Sequence, residues 1–157
     1  MLFSIIIPAF NAERYLHDSL KSVRMQIFTD YETIIVDDGS TDKTGEIADS
    51  FAGETSRTHV IHQENEGLLL ARRTGLQAAS GKYVVFLDAD DSLRSTALQD
   101  IADAIHKYNV DIVSFRYSRQ DNFLTSDSPS PLPVGIYNGE RFEEAKLHLC
   151  KGRFNEM

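Results

Sequence analysis

The chain has 157 residues, 41% hydrophobic and 25% charged, which suits one domain with a buried core and excludes both two independent domains and a disordered chain. Sixteen Lys and Arg against 24 Asp and Glu leave a net charge of −8, a field that repels a phosphate backbone and sets nucleic acid aside. An anionic small ligand remains open on the condition that a divalent cation mediates the contact.

Phe3 to Pro8 is a run of β-branched apolar residues, the pattern of a strand buried on both faces. Leu16, Leu20, Val23 and Ile27 then share one helical stripe, with Asn11 as the expected N-cap. Tyr31 to Val36 reads as a second strand and runs into Asp37-Asp38-Gly39-Ser40. Thr44, Ile47, Ala48 and Phe51 mark a second helix, capped by Asp42 and stopped at Gly53. A third strand covers Thr58 to His62, and a third helix runs from about Gly67 to Ser80 with its stop at Gly81. Tyr83 to Leu87 is the clearest strand of all and leads into Asp88-Ala89-Asp90-Asp91. Leu98, Ile101, Ile105 and Tyr108 define a fourth helix, and Val110 to Tyr117 a fifth strand. This alternation, with connections too long for hairpins, predicts a parallel sheet covered by helices. Residues 118–133 hold three of the four prolines and read as a long loop, followed by a short edge strand at Val134 to Tyr137 and a helix over Gly139 to Cys150.

Cys150 is the single cysteine, so neither an intramolecular disulfide nor a cysteine zinc site is expected. No apolar run nears the roughly 20 residues that cross a bilayer. Met1-Leu2-Phe3-Ser4 lacks a signal-peptide pattern. The expected setting is cytoplasmic, with a peripheral place at the inner face of the membrane also admissible.

Three strands end in polar clusters: Pro8-Ala9-Phe10-Asn11, Asp37-Asp38-Gly39-Ser40 and Asp88-Ala89-Asp90-Asp91. In a parallel α/β sheet the ligand crevice lies beyond the carboxyl ends of the strands, where these clusters would meet. If strand geometry persists, Asp88 and Asp90 point to one side, with no Lys or Arg near in sequence. Such a pair resists ionising, and Mg²⁺ or Mn²⁺ shared with substrate phosphates relieves the repulsion. The plainer alternative is an exposed acidic turn with Ser92 or Ser95 capping the next helix. Asp37-Asp38-Gly39 is equally a turn or a partner for ring N–H and ribose hydroxyl groups. Phe10 belongs either to the core or against a base. Arg72 and Arg73 are either a solvated pair or positive charge for a diphosphate. The five histidines show no ligand spacing and receive no role. A P-loop, a dinucleotide fingerprint and a Gly-x-Ser-x-Gly elbow are all absent.

Ser4 to Leu16 (SIIIPAFNAERYL), Ile34 to Thr44 (IIVDDGSTDKT), Asn65 to Asp91 and, more loosely, Asn109 to Phe115 together resemble the family 2 glycosyltransferases in order and spacing. The resemblance implies a Rossmann-like GT-A domain, three-layer α/β/α with a mostly parallel sheet, over residues 1–117. It implies a nucleotide-diphosphate sugar, in this family most often a UDP-sugar, with Phe10 against the base and Asp38 accepting its ring N–H beside Asp37. Asp88-Ala89-Asp90 matches the family's DxD motif, with Asp88 near the ribose and Asp90 as ligand of Mg²⁺ or Mn²⁺. Gly67 and Arg72 match the segment near the donor phosphates, whereas Arg73 stands where the family usually has Asn. The acceptor, a carbohydrate or a lipid-linked one, and the general base belong to a C-terminal half of which residues 134–157 are the expected remnant. The expected object is therefore a truncated donor-binding portion whose uncovered apolar surface favours self-association. Glu143-Glu144 reads as a solvated helix face, and no base is assigned. Two other readings use the same residues: a haloacid-dehalogenase-type phosphatase with Asp88 as nucleophile, and a response-regulator-type receiver with Asp88 as phospho-acceptor. Both require an acidic motif on the first strand, where this chain has none.

Overall fold

The computed structural model describes residues 1–113. The apolar runs form the strands β1 (Phe3–Ala9), β2 (Tyr31–Asp38), β3 (Thr58–Gln63) and β4 (Tyr83–Phe86), and the amphipathic segments form the helices α1 (Leu16–Arg24), α2 (Thr44–Gly53), α3 (Leu68–Ala78) and α4 (Ala97–Tyr108). The strands make one sheet in the order β3-β2-β1-β4, and every pairing is parallel. The chain steps outward from β1 to β3 and then returns to the other side of β1. The gap between the carboxyl ends of β1 and β4 is thus a topological switch point.

Every residue of β1 and β2 is buried, so both faces of the central sheet are covered, as their unbroken apolar character predicts. Right-handed crossovers place α1 and α2 on one face and α3 on the other. Ile34, Val36 and Ala71 form a buried cluster beneath α3. Gly75 completes that contact: a Cβ there would lie 2.4 Å from Ile6 Cγ2 and 3.3 Å from Val36 Cγ2. Each fully buried Ile contributes on the order of 1.5–3 kcal/mol, and Ile5, Ile6, Ile7, Ile34 and Ile35 all reach full burial.

Backbone bonds show how the seam opens. Tyr83 N–H donates to the Leu2 carbonyl and Leu87 N–H to that of Ile6. Even-numbered residues of β1 therefore face β4, and Pro8 is the next of them. It has no N–H to offer, so one bond of the ladder is missing at the end nearest the site. At the opposite end Glu32, 4% exposed, accepts hydrogen bonds from the Ser4 hydroxyl at 2.6 Å and from the N–H and hydroxyl of Ser80 at 2.7 and 2.8 Å. Burial raises its pKa, but these donors outweigh burial and hold it below the usual carboxylate value.

Several expectations are corrected. α1 starts at Leu16, not after Asn11. Tyr15 precedes it without a side-chain cap, and Asn11 adopts φ +49° to turn the chain. The Asn11 carboxamide accepts from Thr41 instead, so it is not available as a cap. Ile27 lies beyond the end of α1 and is exposed. α3 ends at Ala78, and Gly81 marks a close approach: a Cβ there would lie 2.5 Å from Ser4 N. Asp42 does serve α2, accepting from the Thr44 N–H at 2.9 Å. The chain divides into two units, Met1–Asp100 and Ile101–Met157. In the second, Ile101 and Ile105 are buried as expected, whereas Tyr108 is exposed. Of the expected fifth strand, residues 110–113 form no strand. Its remainder, the boundary at 117, the 118–133 loop and the 134–157 strand and helix lie outside the described residues. No helix among the described residues is long and apolar enough to cross a membrane.

Candidate functional site

The carboxyl ends of β1 and β2 are joined through their loops. Asn11 N–H donates to Ser40 Oγ at 3.0 Å, Thr41 N–H to Asn11 Oδ1 at 2.9 Å, and Ala12 N–H to Thr44 Oγ1 at 2.7 Å. Pro8 and Ala9 are buried beneath this junction, while Asn11 is exposed and Phe10 is 50% exposed. That exposure removes Phe10 from the core and leaves its ring free to stack.

Asp37 and Asp38 end β2 and are both buried, at 6% and 2% exposure. Asp38 binds the loop that starts α3: Oδ1 accepts from Gln63 Nε2 at 2.7 Å and Glu66 N–H at 3.0 Å, and Oδ2 accepts from Gly67 N–H at 2.8 Å. Gly67 stands at φ +89° as the residue before α3, a conformation that glycine adopts without strain. Asp37 Oδ1 accepts from Ser40 N–H at 3.1 Å, and Oδ2 meets His62 Nδ1 at 3.0 Å. His62 Nε2 reaches Asp49 Oδ1 on α2 at 3.1 Å. The hydrogen bonds from Asp37 and then Asp49 raise the His62 pKa above 6.5, against a smaller opposing effect of burial.

Beyond β4 the strand geometry does not persist. Asp91 N–H donates to the Asp88 carbonyl at 2.9 Å and closes a turn, so the expected strand-like alignment of Asp88 and Asp90 gives way to a compact acidic bend. Asp88 is not unpaired either. Arg72 Nη2, from α3, bonds its Oδ1, a partner that sequence proximity could not show because it arrives across the sheet. The Arg72 guanidinium also lies 5.8 Å from the Phe86 ring, and its Nε is buried without a partner. Arg73 is exposed, and Ala89 is buried. Asp90 is exposed and makes no hydrogen bond or ion pair among the described residues. Asp91 resists ionising through partial desolvation, followed by the negative charges of Asp90 and Asp88.

The chain of contacts Asp38–Gly67 loop–Arg72–Asp88 thus links the second and third clusters, and the Asn11–Ser40 junction links the first and second. Sequence reading missed His62 and Gln63. Their signal lay in register: in parallel pairing Asp37 faces His62 and Asp38 faces Gln63. The donor set suits a hard cation. No group of three or more His, Cys, Asp or Glu among the described residues could enclose a metal, but an unpaired Asp90 in a repulsive acidic turn fits Mg²⁺ or Mn²⁺ completed by phosphate oxygens.

A parallel sheet with helices packed on both faces and a strand order that reverses at β1 defines the Rossmann-like α/β class. Within that class, the model of Glycosyl transferase family 2 matches residues 4–154, and the chain belongs to this family. It is 39% identical over 154 residues to the uncharacterized glycosyltransferase EpsJ of Bacillus subtilis, covering 98% of this chain and 45% of that protein. It is 33% identical to the glycosyltransferase GlyG of Streptococcus pneumoniae, covering 76% and 40%. The chain therefore spans less than half the length of these relatives. Among solved structures it is similar to S. aureus TarS 1-349 in complex with UDP-GlcNAc (TM-score 0.66, 33% identity, 69% of this chain and 32% of that one). It is also similar to the mannosyltransferase PcManGT of Pyrobaculum calidifontis in complex with GDP-Man and Mn²⁺ (TM-score 0.58, 26% identity, 66% and 31%). The fold is thus of the GT-A type. The aspartyl-phosphate readings find no support: the Asp37-Asp38 pair lies on β2, not β1, and Arg72 holds Asp88.

Proposed function

We propose that this chain is the donor-binding portion of a glycosyltransferase that moves a sugar from a nucleotide-diphosphate donor, a UDP-sugar, to a hydroxyl of a carbohydrate or lipid-linked acceptor with inversion. The observation that carries the reading is the unpaired Asp90 in the acidic turn beyond β4, two residues after the Asp88 that Arg72 holds. Pro8, Ala9, Phe10 and Asn11 line the base side of the seam, with Phe10 stacked on the base. Asp37 and Asp38 flank it. Asp38 accepts from Gln63 at the end of β3 and from the Glu66 and Gly67 N–H groups of the loop before α3, which leaves its Oδ2 one lone pair for a ring N–H. Asp88 and Ala89 lie by the ribose, and Gly67 and Arg72 by the diphosphate. Asp90, with Asp88, holds Mg²⁺ or Mn²⁺.

The cation supplies charge neutralisation at the departing nucleoside diphosphate. The residues themselves orient the donor and screen its negative charge, Arg72 from α3 and the backbone N–H groups from the start of that helix. No described residue is assigned as general base. The UDP and UDP-GlcNAc complexes of TarS support the donor class, and the Mn²⁺ of PcManGT supports the cation. A cytoplasmic setting and self-association through exposed Leu68, Leu69 and Leu76 of α3 complete the proposal.

Calorimetric titration with UDP-glucose and Mn²⁺ tests it. Asp90→Ala is expected to keep the circular dichroism and melting of the parent while losing on the order of tenfold or more in metal-dependent affinity. Unchanged donor affinity and unchanged metal dependence in that variant would overturn the assignment.

A further inference from the structure

His62 has both ring nitrogens within hydrogen-bond distance of carboxylate oxygens: Nδ1 at 3.0 Å from Asp37 and Nε2 at 3.1 Å from Asp49. Ionised carboxylates only accept, and a neutral imidazole carries a single N–H. Both contacts are satisfied only by the doubly protonated ring. The charged groups that contact the ring are Asp37 from β2 and Asp49 from α2, and both are negative. No Lys or Arg among the described residues pairs with Asp37, so His62 is what balances that buried charge. α2 is fitted to the pair: a Cβ on Gly45 would lie 2.9 Å from Asp37 Oδ2 and 3.5 Å from His62 Cε1. From Asp37 the contacts continue through Ser40 N–H to Ser40 Oγ, which receives Asn11 N–H.

We infer that His62 is a positioning residue of the donor site: as an imidazolium clamped between Asp37 and Asp49 it holds the Asp37–Ser40 turn against the Asn11 loop, and donor binding weakens as the ring loses its proton. This rests on the reading of Asp37 and Asn11 as donor-site residues. The sign follows from linkage. The folded pKa of His62 lies above 6.5, so its contribution is complete below about pH 6.5 and is lost as pH rises through the folded value.

The test uses UDP-glucose with Mg²⁺, a ligand whose diphosphate diester keeps its charge between pH 6 and 8. Calorimetry across that range is combined with NMR titration of the His62 ring and the Ser40 amide. The ring and the amide are expected to share one midpoint, and the parent Kd to rise about threefold or more over the range. Asp49→Asn, a change at an exposed position on α2, should lower that midpoint by roughly half a unit or more and carry the affinity profile with it. His62→Gln should flatten the profile. A His62 midpoint that moves in Asp49→Asn while the affinity profile stays in place would overturn the inference, as would a Ser40 amide indifferent to the ring. If the parent binds no UDP-glucose at any pH, the donor reading fails instead, and the shared or separate midpoints of His62 and Ser40 decide the inference alone.

Discussion

Glu32 shows how much one carboxylate organises. A single oxygen, Oε1, gathers three donors from β1 and from the loop before β4, and Ser4 Oγ in turn receives Gly81 N–H at 2.8 Å. Glu32→Gln keeps an acceptor but removes the charge, and should cost about 1–2 kcal/mol; Glu32→Ala strands the donors and should cost about 2–4 kcal/mol. Both are measurable by urea denaturation. Because the folded pKa of Glu32 is depressed, its contribution is present above about pH 4.5 and is lost as pH falls through the folded value. The melting temperature of Glu32→Gln should therefore fall less steeply below pH 4.5 than that of the parent. None of this was legible in sequence. A lone Glu within an apolar strand names no partner until the strands are in register. Asp88 is the same case at the site, since its arginine comes from a different element; the acidic run suggests two unpaired carboxylates, and among the described residues only Asp90 of that pair is one.

At the scale of elements, period and breaker residues located all eight described helices and strands, because buried faces leave a repeat of two or 3.6 in the sequence. Boundaries failed where polar side chains had partners elsewhere. Asn11 has the residue type of a cap but accepts from Thr41, and after Leu87 the Asp88 side chain pairs with Arg72 while its backbone carbonyl closes a turn with the Asp91 N–H. α3 carries a constraint that its period alone does not reveal. Gly75 sits over Ile6 and Val36 with no room for a methyl group, and both neighbours are β-branched and completely buried. Gly75→Ala would gain about 1 kcal/mol of helix propensity, but overpacking should cost about 1–3 kcal/mol. A net loss is expected, read as a lower denaturation midpoint at unchanged slope. Since α3 also carries Arg72, the same variant should weaken UDP-glucose binding more than its stability loss alone explains.

For the molecule as a whole, a net charge of −8 would oppose the approach of the diphosphate donor proposed above. Among the described residues Arg72 is the cation that pairs at the acidic turn, and it is already bonded to Asp88. Chelation of divalent ions should therefore abolish UDP-glucose binding in calorimetry while leaving the melting temperature of the ligand-free chain within about 2 °C, since no hydrogen bond or ion pair among the described residues involves Asp90. Pro8 bears on the same approach. The donor missing from its nitrogen is a matter of covalent structure, so beyond the Ile6 level Pro8 can offer β4 an acceptor and no donor, and the pairing there lacks half of its usual bonds. On the proposed reading, a nucleotide reaching this edge would have one strand–strand hydrogen bond fewer to displace.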